Sequence, residues 1–151
     1  MPNGGISTSE YRALAEFRYE LRRFLRFSEE AARGVGLEPR QHQLLLAVRG
    51  MPPGVAPTVG ALAERLQLRH HSAVELIDRS EARGLVRRSA RGGDRRQVVI
   101  ALSAEGTRLL RRLSVAHRAE LGLIGTRLQG ALRALGRGPA ALRGRSGATA
   151  G

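Results

Sequence analysis

Apolar and polar positions alternate with helical spacing over most of this chain, starting close to its amino terminus. Polar residues at 7–9 are suitable helix N-caps, and apolar side chains then recur every three or four positions over 14–25. A single apolar stripe of this kind predicts one long amphipathic helix with one buried face. Gly34 and Gly36 mark its end.

Three shorter apolar patterns follow, and each carries the end signals of a helix. Residues 38–50 read EPRQHQLLLAVRG, residues 59–66 follow the N-cap residue Thr58, and residues 71–84 end in glycine. Only the four residues QLRH at 67–70 separate the second of these helices from the third. The spacing therefore predicts two helices joined by a tight turn.

Two β-branched runs come next, LVRRS at 85–89 and QVVIAL at 97–102. They flank a tip rich in glycine and arginine, RGGDRR, so we interpret them as the arms of a β-hairpin. Helix, tight turn, helix and basic hairpin is the order of a winged helix-turn-helix, whose second helix lies in the major groove of DNA. The predicted fold class is mainly α with a small β-hairpin wing.

Helical spacing returns after the hairpin. Ser103 is placed as an N-cap, and apolar side chains recur over 103–136. Gly122 and Gly125 predict a bend or break on the way, and hence more than one helix in this segment. The remaining residues, 137–151, are rich in glycine and arginine and are predicted to be disordered.

The chain has a formal net charge of +13, and this charge is unevenly placed. Residues 1–84 carry 12 arginines against 10 acidic residues, whereas residues 85–151 carry 14 against 3. Lysine is absent, a bias that a GC-rich genome would produce on its own, but the guanidinium fork also binds phosphates and base edges bidentately. A positive field of this kind attracts polyanions, and nucleic acid is the commonest of them.

Composition excludes several classes of protein. Cysteine is absent, which removes disulfides and thiol chemistry, and no apolar run approaches the ~18 residues that span a bilayer. The amino-terminal residues lack the basic-then-apolar order of a signal peptide. We expect a cytoplasmic, nucleoid-associated protein with no membrane partner.

Motifs for catalysis and metal binding are missing from the sequence. It contains no Gly-rich phosphate loop, paired-carboxylate motif or nucleophile elbow. His70 and His71 are adjacent, and neighbouring positions on a helix diverge by about 100°, so the two rings are poorly placed to bind one ion. We expect no enzymatic activity, no cofactor and no metal site.

The middle of the chain resembles the MarR family of bacterial transcription regulators. The resemblance rests on the segments LAERL, EARGLV, DRR and LSAEG, which occur in this order between residues 58 and 113. The long helices on either side resemble that family in layout only. Ser80 stands where a leucine is usual, and Val74 and Glu75 stand where small polar or basic residues are frequent, which leaves the base preference open.

This resemblance implies a DNA-contact surface on the second helix and the hairpin. Helix-turn-helix proteins read base edges with the first residues of the second helix, and an arginine on a thin hairpin fits a minor groove about 6 Å wide. The resemblance implies that Arg96 enters this groove with Asp94 as its orienting partner. The predicted DNA-contact residues are Arg69, His70, His71, Ser72, Glu75, Arg79, Arg87, Arg88, Arg91, Asp94, Arg95 and Arg96.

The same resemblance implies the architecture and the regulation. Residues 1–36 and 103–136 would form dimerisation helices around a DNA-binding winged helix-turn-helix lobe of residues 37–102. A homodimer binds a pseudo-palindromic operator on double-stranded DNA, and the expected activity is that of a repressor released by a small aromatic or anionic effector. The residues predicted for the effector pocket are Phe17, Arg22, Phe24, His42 and His117. Core packing is the alternative role for Phe17 and Phe24, and an ordinary satisfied or exposed histidine is the alternative for His42 and His117.

Two other functions fit the charge and the order of elements. A nonspecific nucleic-acid-coating protein would be driven by net charge alone. A winged-helix protein-interaction module would use its arginines to bind an acidic protein. A discrete symmetric footprint on DNA separates the regulator from the coating protein, and binding to one protein without DNA would support the module.

Overall fold

A computed structural model of the chain describes residues 5–90 and 97–136. Among these residues, no helix combines the length and the hydropathy needed to cross a membrane. The described residues form five α-helices and two β-strands, in the order α1 (Thr8–Gly34), α2 (Pro39–Arg49), α3 (Val59–Arg65), α4 (His70–Ala82), β1 (Val86–Ala90), β2 (Val98–Leu102) and α5 (Ala104–Gly136).

The helix ends follow the local signals in the sequence. Thr58 Oγ1 accepts a hydrogen bond from the backbone N–H of Ala61 (3.2 Å), and Ser103 Oγ accepts one from Gly106 (2.9 Å). Gly84 has a φ of +70° just after α4, a backbone conformation that glycine adopts without strain. The predicted starts of α3 and α5 and the predicted end of α4 are therefore confirmed.

The hairpin is also confirmed, with each arm within one residue of its predicted bounds. Strands β1 and β2 pair antiparallel, with Val86 opposite Leu102 and Ala90 opposite Val98. The backbone N–H of Ile100 donates to the carbonyl of Pro57 (2.9 Å), which ties the hairpin to the start of α3. The tip between the two strands lies outside the described residues.

The chain divides into two compact units. The larger spans Ser28–Ala116 and contains α2, α3, α4 and the hairpin, with the end of α1 and the beginning of α5. The smaller consists of the part of α1 up to Phe27 and the part of α5 from His117. The larger unit extends beyond the predicted lobe of 37–102 at both ends, because both long helices contribute side chains to its core.

One cluster of buried aliphatic side chains forms the core of the larger unit, with a contribution from every described element of it. Ser80 is fully buried in α4, and its Oγ donates to the carbonyl of Leu76 (2.8 Å), so this hydroxyl is satisfied. The cluster contains Ala32, Leu37, Leu44, Leu45, Leu62, Leu76, Ile77, Leu85, Val86, Ile100, Leu109, Leu110 and Leu113.

The smaller unit buries little apolar surface of its own. Among its described residues, the buried apolar side chains are Ala13, Ile124 and Ala131. A carboxylate is buried with them, since Glu20 Oε1 lies 3.6 Å from Arg23 Nη1 and 3.5 Å from Arg127 Nη1. The large apolar side chains left exposed on this unit are Ile6, Tyr11, Leu14, Tyr19, Leu25, Leu121, Leu123 and Leu132.

Helix α5 runs without interruption from Ala104 to Gly136. The prediction of more than one helix in this segment is therefore wrong. Neither Gly122 nor Gly125 has a positive φ, and a glycine with helical backbone angles costs only about 1 kcal/mol relative to alanine. The apolar spacing on both sides is enough to continue the helix through them.

Candidate nucleic-acid interface

Helices α3 and α4 form the predicted helix-turn-helix, and the turn between them is only a few residues long. The backbone N–H of Leu68 donates to the carbonyl of Ala63 (2.8 Å). Gln67 has a φ of +54°, and its side-chain Nε2 donates to the carbonyl of Glu64 (2.8 Å). This left-handed residue lets the chain change direction between the two helices, and thereby sets where α4 begins.

Replacing Gln67 with valine is expected to lower the free energy of unfolding by about 1–3 kcal/mol, because a β-branched side chain is disfavoured at positive φ. Gln67→Asn is the matched control, since asparagine tolerates this conformation, and it should stay within about 0.5 kcal/mol of the wild type. Chemical denaturation measures both variants. Equal stability of the two would contradict the strain at this position.

The first turn of α4 presents polar side chains to solvent. Arg69 is its N-cap residue, with an extended backbone and no capping hydrogen bond from its side chain. His70 and His71 are exposed as well, and Ser72 is half-buried. Glu75 is exposed one turn further on. These five predicted contact residues therefore lie together at the end of α4 where the first backbone N–H groups are unpaired within the helix.

Arg88, on β1, binds two acidic residues of α4. Its Nη2 donates to Asp78 Oδ1 (2.5 Å) and its Nη1 donates to Glu81 Oε1 (2.7 Å). The backbone N–H of Arg88 also donates to Glu81 Oε2 (3.0 Å). The hydrogen bond that Arg88 donates to Asp78 raises the pKa of the Arg88 guanidinium, which therefore keeps its charge. Three hydrogen bonds thus tie the first strand of the hairpin to α4.

Two further arginines of this region bind groups near the start of α2. Arg79 Nη2 donates to Glu38 Oε2 (3.2 Å), and Arg83 Nη2 donates to the carbonyl of Gly36 (2.8 Å). Arg87, by contrast, is exposed and forms no ion pair with a described residue. Two of the arginines predicted to contact phosphate, Arg79 and Arg88, therefore already bind carboxylates.

Sequence reasoning missed the acidic partners of Arg88. A signal was present, because Asp78 and Glu81 are three residues apart and so share one face of α4. Spacing along the chain did not say which arginine this face would meet. Arg91, Asp94, Arg95 and Arg96 lie outside the described residues, so the proposed minor-groove contact stays a prediction.

Known proteins share this sequence pattern and this architecture. The MarR family profile matches residues 35–97. CouR from Rhodococcus jostii RHA1, solved with p-coumaroyl-CoA bound, is 30% identical over 66% of this chain and 68% of its own, with a TM-score of 0.57. The chain belongs to the MarR family. It is accordingly a DNA-binding transcription regulator, as the resemblance seen in the sequence implies.

More distant MarR-family structures show the same fold. AbsC, a MarR family transcriptional regulator from Streptomyces coelicolor, is 21% identical over 93% of this chain and 99% of its own, with a TM-score of 0.65. MepR from Staphylococcus aureus, solved in complex with DNA, is 18% identical over 72% of this chain and 78% of its own, with a TM-score of 0.59. No curated protein sequence matches the chain significantly.

The residues predicted for the effector pocket of this MarR-family chain are only partly brought together. Phe24 and Phe27 both contact the ring of His117 edge-on, with ring centroids 5.8 Å and 5.4 Å apart. Phe17 is half-buried and Arg22 is exposed. His42, the remaining predicted residue, is buried in α2 and belongs to the larger unit.

A surface groove of about 410 Å³ lies elsewhere, within the larger unit. None of the five predicted pocket residues lines it. Its walls come from α2, the last residue of α3, the turn that follows and α4, and combine two guanidinium groups with leucine side chains. The lining residues are Arg40, Gln43, Arg65, Leu66, Gln67, Leu68 and Leu76.

Proposed function

We propose that this MarR-family regulator is a homodimeric repressor that binds a pseudo-palindromic operator and is released by a small aromatic or anionic effector. The observation that carries the proposal is the exposed first turn of α4 beside a strand that Arg88 ties to the same helix. In this arrangement the end of α4 that carries Arg69 and Ser72 can enter a major groove of DNA, and the hairpin stays beside that helix. The net charge of +13 supports capture of a polyanion.

The apolar surface of the smaller unit supports the homodimer. Leu14 and Leu25 of α1 are exposed, as are Leu121 and Leu132 of α5, whereas few apolar side chains among the described residues of this unit are buried. Large apolar side chains exposed on one unit are a feature of protein–protein contact surfaces, and a second copy of the same unit is the self-complementary partner. Two lobes related by a two-fold axis would meet half-sites one helical turn apart.

The aromatic part of the effector class is supported by the rings around His117. Phe24 and Phe27 offer edges and faces to a planar apolar group. CouR was solved with p-coumaroyl-CoA, a ligand that is both aromatic and anionic. A ligand of that class is the first to test on this chain.

Selection of binding sites from random DNA tests specificity and symmetry in one experiment. The expected result is one enriched motif with two inverted half-sites, confirmed by a discrete footprint. Uniform protection without an enriched motif would favour the nonspecific coating protein instead. An enriched motif without inverted symmetry would contradict the homodimer.

Arg69→Ala should weaken binding to the selected operator by about 1–3 kcal/mol and relax the preference at one base position, because a bidentate arginine–guanine contact is lost. Fluorescence anisotropy with operator variants measures both quantities. Arg49→Ala, at the end of α2, is the matched control and should leave base preference unchanged. An unaltered preference for Arg69→Ala would remove this residue from base reading.

A further inference from the structure

We infer that Arg88 is a positioning residue, not a phosphate contact: it sets where the hairpin stands relative to α4 by holding Asp78 and Glu81. The inference rests on the proposed function, since it assigns a role in reading an operator. It also revises one residue of the contact set predicted from the sequence.

The charge around Arg88 argues against a phosphate contact. One guanidinium faces two carboxylates, so this cluster carries one net negative charge. A phosphate approaching the cluster would meet both acids and would have to compete with them for the donors of Arg88. A net negative cluster therefore does not attract DNA.

Position on the strand separates Arg88 from its neighbour. Successive side chains of a strand point to opposite faces, and here the Arg88 side chain lies on the α4 side with 31% of its surface exposed. Arg87 points the other way and is exposed. Arg87 is thus the arginine of β1 that is free to meet a phosphate, and Arg88 is the one that joins two reading elements.

The two-carboxylate contact needs the shape of arginine. Nη1 and Nη2 donate to different acids, and the backbone N–H of the same residue donates to Glu81. A lysine ammonium carries the same charge but has no planar fork, so it cannot reproduce this pattern of donors. A phosphate, by contrast, accepts hydrogen bonds from a lysine ammonium almost as well as from an arginine guanidinium. Arg88→Lys therefore distinguishes the two roles.

The test compares Arg88→Gln, Arg88→Lys and Asp78→Asn on the selected operator and on random DNA, over a range of salt concentrations. A positioning role predicts that Arg88→Gln lowers operator affinity about tenfold or more and affinity for random DNA less than about twofold, with an unchanged salt slope. Arg88→Lys should recover only part of the operator affinity. Asp78→Asn should lower operator affinity too.

A phosphate contact predicts the opposite on each readout. The loss would be equal for all sequences, the salt slope would fall by about one, Arg88→Lys would match the wild type, and Asp78→Asn would increase affinity. Any of these results overturns the inference. Arg87→Gln is the matched control, because it should show this uniform loss and reduced slope.

Folding of each variant is checked by circular dichroism, and Asp78→Asn carries the comparison if Arg88→Gln unfolds at the assay temperature. Failure of the proposed function has a different signature, since the wild type would then prefer no sequence at all. Failure of the inference leaves the wild type specific and Arg88→Gln equally specific.

Discussion

Gly106→Ala is expected to lower the free energy of unfolding by about 3 kcal/mol, although alanine is the better helix former. A Cβ on Gly106 would lie 2.1 Å from the carbonyl oxygen of Leu85 and 3.1 Å from its carbonyl carbon. Those atoms are backbone and have little freedom to move, since the same oxygen accepts hydrogen bonds from the N–H and the hydroxyl of Ser103. Helix α5 would have to move away from the hairpin.

Gly130→Ala is the matched control for this prediction, because it makes the same change in the same helix. Nothing lies within 4 Å of a Cβ at Gly130, so alanine should stabilise the protein there by about 0.5–1 kcal/mol. Thermal and chemical unfolding of both variants measure the two effects. A Gly106→Ala protein as stable as the wild type would contradict the close approach of α5 to Leu85.

Leu132→Arg is expected to convert the proposed dimer to a monomer and to weaken operator binding by more than about a hundredfold. An unpaired guanidinium buried in an apolar interface is strongly disfavoured, and separate lobes lose the advantage of binding two linked half-sites. Light scattering at micromolar concentration gives the mass, and anisotropy on the operator gives the affinity.

Leu46→Arg is the control for this second prediction. Leu46 is a helical leucine of similar exposure, 47% against 52% for Leu132, but it lies in α2 of the larger unit. It should keep the wild-type mass. A dimeric Leu132→Arg protein with unchanged affinity would remove this face of α5 from the dimer interface.

Much of the fold could be predicted from the sequence. Thr58 and Ser103 mark helix starts because a capping hydroxyl bonds to an N–H only three residues away. The β-branched residues of QVVIAL indicate a strand for an equally local reason. The break predicted at Gly122 and Gly125 was wrong, because a glycine destabilises a helix by only about 1 kcal/mol relative to alanine. The apolar spacing on both sides outweighs that cost.

The candidate site was predicted less completely. The helix that begins after Arg69 and the arms of the hairpin were placed correctly, since both follow from local pattern. The contact set treated all arginines of this region alike. Arg88 and Arg79 differ from Arg87 only through acidic residues that the fold brings to them, 7 to 41 positions away in the chain.

The sequence by itself determined the caps that start α3 and α5, the two arms of the hairpin and the resemblance to the MarR family, because each is carried by short local segments of the chain. The tertiary structure alone decided which guanidinium groups are neutralised, why LSAEG carries a glycine at Gly106, and that α1 and α5 both enter the core of the larger unit. Those features arise from groups on different elements, and no local spacing encodes the distance between them.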